Sequence, residues 1–287
     1  FCAVSRALIA RSGISNRDIA GVGASVLGCD CLPVDENCRP LRKAILYGID
    51  ARSRDEMAWL TERYGEEGVM ERFGRPICSD DVAAKILWVK NREPEVYSRA
   101  AKFLTGSSYI TAKLTGNYVI DQFLAKAAFR PLYRADGSVD EAECALFCRP
   151  DQLAECCTVT GLAGFVTEDA GRETGLAPGT PVITGSGDST SEAVSVGIVE
   201  PGDVMFQFGS SLFYYYCAGH EVRDPRVHAG NYTVPGTWSV SGGTNAAGTL
   251  TRWVRDSFFP ELVEAEAAGG RNAYSAMMDC LPESSEG

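Results

Sequence analysis

The stretch PVITGSGDS, residues 181–189, decides the fold class because it joins a buried-type strand, a glycine-rich turn and an acidic residue. Pro181 to Thr184 predict the strand, and a helical pattern follows Asp188 to about Val196. Glycines at the end of a strand let the backbone approach a ligand closely. An aspartate at this point can take a proton from a substrate hydroxyl, or it can cap the following helix without any chemistry. The residues alone leave both interpretations open.

Downstream of this stretch, two predicted strands, Val204 to Phe208 and Leu212 to Cys217, flank the turn Gly209-Ser210-Ser211. Such a turn can offer backbone N–H groups and hydroxyls to a phosphate, although an ordinary β-turn is the commoner explanation. A further strand, Trp238 to Ser241, precedes a helix from about Asn245 to Phe258. Strands that alternate with helices indicate an α/β fold.

Upstream, Asp50-Ala51-Arg52 follows a strand-like segment, Ala44 to Tyr47. A carboxylate beside a guanidinium can bind sugar hydroxyls by directional hydrogen bonds, but a solvated surface ion pair is the commoner case. The segment Lys85-Ile-Leu-Trp88 is by itself typical of an amphipathic helix whose tryptophan packs in the core.

Two helix starts can be predicted from side chains that cap helices. Ser53 precedes Glu56 by three residues, which is the pattern of a capping box. Ser107 or Ser108 is expected to cap a second helix, which stops at Gly116.

Composition excludes several classes of protein. The 287 residues suffice for two domains, and 45% of them are apolar, which is enough for a sizeable core. The net charge of −11 disfavours nucleic acid as a partner, and no apolar run is long enough to cross a membrane. Eleven irregularly spaced cysteines with only two histidines predict reduced thiols rather than a disulfide framework or structural zinc, as in a cytoplasmic protein. Because the chain opens with Phe1 inside a helical pattern, we expect a piece of a longer protein.

Six short segments occur in the order seen in FGGY carbohydrate kinases, and the resemblance runs from about residue 5 to about residue 284. The segments are Ala44–Arg52, similar to "I-L-W-x-D-x-R"; Lys85–Lys90 with Glu93-Pro94-Glu95, similar to "K-L-L-W … E-P-E"; Leu114-Thr115-Gly116 with Asp121 beyond it; Gly175–Val182, similar to "G-L-x-x-G-T-P-V"; Gly185–Asp188, on "G-x-G-D"; and Phe208–Ser211, on "L-G-T-S". The chain most resembles the xylulokinase-like branch of the family. Xylulokinases carry Met-His in the strand-end loop where this chain has Gly28-Cys29.

The resemblance implies an actin-like ATPase (ribonuclease H-like) fold of two α/β domains, incomplete in this chain. Residues 1–197 would form the sugar-binding N-terminal domain, without its first strand, and residues 198–287 the start of the ATP-binding C-terminal domain. The family's "D-x-G-T" strand and its adenosine loop are not found in the sequence, so we expect this chain alone to be inactive.

The resemblance also implies the chemistry, which is ATP-dependent phosphorylation of a small sugar or polyol, with a pentulose such as xylulose as the expected substrate. Asp188 would be the general base, and ATP with Mg²⁺ the cofactors. The implied contact residues are Asp50, Arg52 and Cys29 for the sugar and Gly187, Gly209, Ser210 and Ser211 for ATP. A cytoplasmic protein is expected, and a homodimer is left open. The alternative is a non-catalytic, sugar-sensing or degenerate relative of these kinases.

Overall fold

The computed structural model describes residues 1–47, 50–222, 224, 226–244 and 246–280. Within these residues strands alternate with helices, so the predicted α/β class is confirmed. The helices are α1 (Cys2–Ser12), α2 (Arg54–Phe73), α3 (Val82–Arg92), α4 (Pro94–Arg99), α5 (Gly106–Thr115), α6 (Gln122–Ala127), α7 (Glu141–Phe147), α8 (Glu168–Thr174), α9 (Asp188–Ser195), α10 (Gly248–Phe258), α11 (Pro260–Ala267) and α12 (Ala273–Met278).

The strands are short in the first part of the chain and longer in the second. They are β1 (Ser25–Val26), β2 (Leu32–Val34), β3 (Lys102–Leu104), β4 (Val119–Asp121), β5 (Glu155–Cys157), β6 (Leu162–Phe165), β7 (Pro181–Ile183), β8 (Ser186–Gly187), β9 (Val204–Phe208), β10 (Leu212–Ala218), β11 (His228–Asn231) and β12 (Trp238–Thr244). The pairs β1–β8 and β4–β5 are parallel, whereas β2–β3 and β6–β7 are antiparallel. The later strands form a four-stranded sheet of order β11-β12-β10-β9.

The chain divides into two compact units. Unit 1 consists of Phe1–Asp203 and Cys217–Val240, and unit 2 consists of Val204–Tyr216 and the chain from Ser241 onward. The polypeptide therefore passes from one unit to the other three times: directly before β9, inside β10 and inside β12. The assignment of residues 1–197 to a sugar domain and 198–287 to an ATP domain stays a prediction.

The larger core of unit 1 is built around α3. Val82, Ile86 and Val89 of this helix are fully buried, as its apolar stripe predicts, and they pack with residues of β2, β3 and α7. Lys85 on the same helix is also fully buried, which the amphipathic pattern did not predict. A smaller cluster forms around Leu114, Val166, Leu176 and Val182.

The predicted capping box at Ser53 is wrong, although α2 begins directly after that residue. Ser53 has φ −84° and ψ 17°, which is not the extended conformation that aims a capping side chain at the helix N–H groups. Its Oγ is buried without a partner. Glu56 instead accepts a hydrogen bond from Nδ2 of Asn91 in α3 at 3.4 Å, so it joins two helices rather than closing one.

The cap of α5 also differs from the prediction. Thr105, not Ser107 or Ser108, precedes the helix, and its Oγ1 accepts a hydrogen bond from the Ser108 N–H at 3.2 Å. The predicted end is confirmed, because Gly116 adopts the left-handed conformation with φ 81°. The start of the predicted helix at Asn245 lies outside the described residues, and α10 begins at Gly248.

Candidate active site

Two neighbouring parallel strands of unit 1 end side by side at the candidate site. In the pairing of β1 with β8, Ser25 lies opposite Ser186 and Val26 opposite Gly187. The chain that leaves β1 is the Gly28-Cys29-Asp30 loop, and the chain that leaves β8 begins α9 with Asp188. Ligands in α/β folds bind outside the carboxyl ends of such strands.

Gly28 and Gly187 face each other where these two chain segments run side by side. A Cβ atom on Gly187 would lie 3.6 Å from the Cα of Gly28, which is an ordinary contact distance, so the two backbones are neighbours here. Gly185 is required for a different reason. It has φ 77°, and a Cβ there would lie 2.3 Å from the carbonyl oxygen of Ala24. The glycines of the 181–189 stretch therefore bring Asp188 next to the loop after β1.

Asp188 is half-buried and is the first residue inside α9, whose N-cap is Gly187. Its Oδ1 accepts a hydrogen bond from the Ser189 N–H at 2.8 Å. Among the described residues no group donates to its Oδ2. One oxygen is thus fixed by the helix start, and the other is left for a ligand. Asp188 is therefore not the N-cap of α9.

Asp30 is the second carboxyl group at this place, and the sequence analysis missed it. The residue is only 4% exposed, and its Oδ1 has no hydrogen-bond partner. The pKa of Asp30 is raised to about 6, mainly by burial, while the Lys85 cation acts to lower it and the nearby Asp188 charge adds a smaller upward effect. The signal in the sequence was a single acidic residue inside the apolar run from Val26 to Val34.

Lys85 anchors the Gly28-Cys29-Asp30 loop. Its ammonium group donates a hydrogen bond to the Cys29 carbonyl oxygen, which ties α3 to the strand-end loop. The cation also lowers the pKa of Asp30, as noted above. Lys85, from the Lys85-Ile-Leu-Trp88 segment, thus fixes the position of the loop and places a positive charge near Asp30.

Cys29 lies in the loop after β1, and its role as a substrate contact stays a prediction. It adopts a left-handed backbone conformation with φ 62°, which is rare for a residue with a side chain. Burial is the main cause that raises the pKa of its thiol, and the charge of Asp80 adds to it. The group is therefore a neutral thiol that can line a pocket but is not a nucleophile.

Asp121, the acidic residue that follows the Leu114-Thr115-Gly116 segment, supports the site from the side. Its Oδ1 accepts hydrogen bonds from the Phe123 and Leu124 N–H groups and, at 3.1 Å, from the Ser186 hydroxyl. Burial raises the pKa of Asp121 to about 6. This network fixes β8 next to β4 and so fixes the approach to Asp188.

Asp50 and Arg52 form a pair of their own. Arg52 Nε donates to both oxygens of Asp50, at 2.8 and 3.0 Å, and its guanidinium lies 5.0 Å from the ring centre of Trp88. The hydrogen bond from Arg52 is the main cause that lowers the pKa of Asp50. Arg42 lies over the same ring, at 5.4 Å. Among the described residues no contact joins this pair to Asp188, and Gly48 and Ile49 just before it lie outside the described residues.

The Gly209-Ser210-Ser211 turn lies in unit 2, where it borders a cavity of about 310 Å³. The cavity is lined by Gly209, Ser210, Gly248, Thr249, Thr251, Arg252 and Tyr274. The Ser210 carbonyl oxygen accepts hydrogen bonds from the Ala247 N–H and the Thr249 hydroxyl, at 2.9 and 3.1 Å. The Gly248 and Thr249 N–H groups donate to the Gly209 and Ser210 carbonyl oxygens as well, at 3.0 and 3.3 Å, so the first N–H groups of α10 hold the helix start against the turn.

The residues present give limited support for a resident metal. Among the described residues no group of three or more His, Cys, Asp or Glu side chains is arranged to hold an ion. All eleven cysteines are free, as the sequence predicted. No described helix combines the length and the apolar character needed to cross a membrane.

Comparison with known proteins defines the class of this chain. A family model for the FGGY family of carbohydrate kinases, N-terminal domain, matches residues 1–195. The chain therefore belongs to this family.

Particular relatives agree with that membership. The chain is 26% identical to a gluconokinase of Bacillus licheniformis over 247 residues, which cover 86% of this chain and 48% of the relative. It is 28% identical to a xylulose kinase of Staphylococcus epidermidis over 258 residues, or 88% and 50% of the two chains. The crystal structure of xylulose kinase from Rhodospirillum rubrum superposes with a TM-score of 0.87 at 28% identity, over 98% of this chain and 57% of that one. The fold is thus that of FGGY sugar kinases, and the chain spans about half the length of the curated relatives it matches.

Proposed function

We propose that the protein transfers the γ-phosphoryl group of ATP to a hydroxyl of a small sugar or polyol. Within this class, the proposed substrate is a pentulose such as xylulose. The observation that carries the proposal is the placement of Asp188 at the end of β8, with one carboxylate oxygen fixed and the other without a donor among the described residues. Family membership and the named sugar kinases among its relatives support the same activity.

Asp188 acts as the general base in this proposal. The substrate hydroxyl donates a hydrogen bond to the free Oδ2 of Asp188, and the carboxylate takes the proton as the oxygen attacks the γ-phosphorus in line. The bond between the γ-phosphorus and its bridging oxygen breaks, and ADP leaves. Such a transfer depends mainly on position and on neutralisation of charge, so one base suffices on the protein side.

The sugar contacts come from unit 1 and the phosphate contacts mainly from the turn of unit 2. Cys29 lines the strand-end loop beside Asp188, and Asp50 and Arg52 hold sugar hydroxyls with their paired, directional groups. The Gly209-Ser210-Ser211 turn would meet ATP phosphates chiefly through the Ser210 and Ser211 hydroxyls, because the Gly209 N–H already donates to the Ser211 carbonyl oxygen. Gly209 and Ser210 border the cavity of unit 2, and Gly187 would contact ATP beside Asp188. Because no ready set of metal ligands exists in the described residues, Mg²⁺ would arrive bound to the ATP phosphates and would neutralise their charge there.

Two finer points belong to the proposal. A cytoplasmic location fits the eleven free thiols and the supply of ATP, and it is tested by fractionation of cells that express the protein. Assembly as a homodimer is tested by sedimentation of the purified protein.

A non-catalytic sugar sensor is the second candidate, and one observation favours it. Asp188 is the first residue of α9, where its carboxylate can stabilise the start of the helix without any role in catalysis. A sensor would bind sugar but would not turn over ATP.

The variant Asp188→Asn in the full-length protein separates these functions. Asparagine keeps the shape, and its side-chain oxygen can still accept the hydrogen bond from the Ser189 N–H, but it removes the basicity. We expect kcat to fall by about 10²–10⁴-fold, with the melting temperature and the sugar affinity little changed. A folded variant with near-normal kcat would show that Asp188 is not the general base. Sugar binding without any turnover by the wild type would favour the sensor.

A further inference from the structure

Asp30 is an ionisable residue that the fold buries without satisfying it. The residue is 4% exposed and its Oδ1 has no partner, although a buried, unpaired carboxyl oxygen costs stability. The sequence around it is apolar, so a residue such as leucine or alanine would be the cheaper choice for folding alone. Such a group needs an explanation, and a ligand that donates a hydrogen bond to it is one.

The location of Asp30 is beside the proposed general base. The parallel register of β1 and β8 brings the two strand ends together, and the close approach of Gly28 and Gly187 brings the following residues together. The charge of Asp188 is one of the causes that raise the pKa of Asp30, which also indicates that the two carboxyl groups are neighbours. We therefore expect a substrate whose reacting hydroxyl contacts Asp188 to direct a neighbouring hydroxyl toward Asp30.

The chemistry of the group defines what it can bind. An ionised carboxylate only accepts hydrogen bonds, so its ligand must be a donor. The buried ammonium of Lys85 acts on Asp30 and partly balances its charge. A neutral hydroxyl is the donor that a sugar supplies, and a site built to bond a hydroxyl rejects a substrate that lacks it at that position.

We propose that Asp30 is a specificity-determining residue that accepts a hydrogen bond from the hydroxyl adjacent to the one that is phosphorylated. The inference rests on the proposed sugar-kinase function and names the part of the substrate that the loop after β1 recognises. In a pentulose phosphorylated at its terminal hydroxyl, the adjacent hydroxyl is the one on C4. Asp30 therefore sets a preference for one configuration at C4.

The four pentuloses form a direct test of this preference. D-xylulose and D-ribulose share one configuration at C4, and L-xylulose and L-ribulose share the other, while both pairs contain both configurations at C3. We expect the full-length wild type to favour one pair over the other by at least about tenfold in kcat/KM. The preference should collapse in Asp30→Ala and shrink by a smaller factor in Asp30→Asn, whose amide still offers one acceptor oxygen.

Glu56→Gln is the matched control. Glu56 is 4% exposed, like Asp30, and also has a carboxylate oxygen without a partner, but it lies in α2, where its other oxygen accepts from Asn91. We expect the C4 preference to survive this change. Melting curves report whether each variant folds, and Asp30→Asn carries the test if Asp30→Ala does not fold.

The outcomes separate this inference from the proposed function. A wild type that phosphorylates C4 epimers equally well overturns the role of Asp30 and leaves the kinase activity standing. A folded Asp30 variant that keeps the wild-type C4 preference also overturns the role of Asp30 and leaves the kinase activity standing. Absence of turnover with all four pentuloses and ATP overturns both the proposed substrate class and the inference.

Discussion

The two candidate ligand regions of this chain are built in opposite ways. In unit 1 the site is made of side chains, namely Asp30, Asp188 and the lysine beneath them, held on strand ends that pack on a large core. In unit 2 the turn Gly209-Ser210-Ser211 offers mostly backbone and hydroxyl groups.

The surroundings of the two regions differ as well. Asp30 is 4% exposed, whereas Phe208 at the edge of the unit 2 turn is 76% exposed, and α10 contains no buried residue. Buried carboxylates suit proton transfer and the recognition of hydroxyls, while N–H groups at a turn and a helix start suit phosphates. Under the proposed function, the sugar contacts belong to unit 1 and the phosphate contacts to unit 2, and each set can be tested by itself.

The largest effect after that of the base is expected for Arg52→Ala. Loss of its charged hydrogen bonds should raise the sugar KM about 10- to 100-fold and leave the ATP KM unchanged. Arg226→Ala is the matched control, because Arg226 forms the same kind of pair with an aspartate two residues earlier, Asp224, at an exposed place. A raised ATP KM in Arg52→Ala, or an equal effect of the control, would separate Arg52 from the sugar.

A smaller effect, on the KM for ATP instead of the KM for sugar, is expected for Gly248→Ala in unit 2. The new Cβ would lie 2.5 Å from the Gly209 carbonyl oxygen, so the turn must shift. Overpacking of this kind costs roughly 1–3 kcal/mol, and we expect the ATP KM to rise about tenfold with the sugar KM unchanged.

Gly21→Ala controls for the loss of a glycine as such. Its Cβ would make only an ordinary contact, at 3.6 Å from the Pro181 carbonyl oxygen. An unchanged ATP KM in folded Gly248→Ala would show that the Gly209-Ser210-Ser211 turn does not bind the nucleotide.

The smallest effect concerns stability and pH. The pKa of Asp30 in the folded protein, about 6, lies above the ordinary value of 3.8, because of burial and the neighbouring Asp188 charge, against the effect of Lys85. The contribution of Asp30 to the free energy of unfolding is therefore fully present below about pH 4, and it is lost as the pH rises through about 6. Relative to Asp30→Asn, the wild type should lose about 1–2 kcal/mol of unfolding free energy between pH 4 and pH 7.

Denaturant unfolding at several pH values measures this difference. Asp224→Asn should show the opposite sign, because the hydrogen bond from Arg226 lowers the pKa of Asp224 to about 2. A difference between wild type and Asp30→Asn that does not change with pH would mean that Asp30 does not titrate in this window.

The sequence predicted the elements of the fold better than the details of the site. The strand Val204–Phe208, the strand after it and the left-handed Gly116 follow directly from local patterns, because alternation and glycine conformation are local properties. The position of Asp188 after a glycine-rich strand end was predicted in the same way.

What the sequence did not predict depends on contacts between distant segments. Ser53 and Glu56 have the spacing of a capping box, but Glu56 turns to Asn91 on another helix. Asp30 and Lys85 are 55 positions apart, and only the fold shows that both are buried at the same loop. The return of residues 217–240 to unit 1 is likewise a tertiary property with no local signal.

Phosphorus NMR of the full-length wild type with Mg²⁺–ATP and D-xylulose tests the central claim most directly. The account predicts that ADP forms only when sugar is present, together with a new phosphate monoester signal in equal amount and no inorganic phosphate. Formation of ADP and inorganic phosphate at the same rate with and without sugar, across the four pentuloses, would contradict it, because the protein would then be an ATPase rather than a sugar kinase.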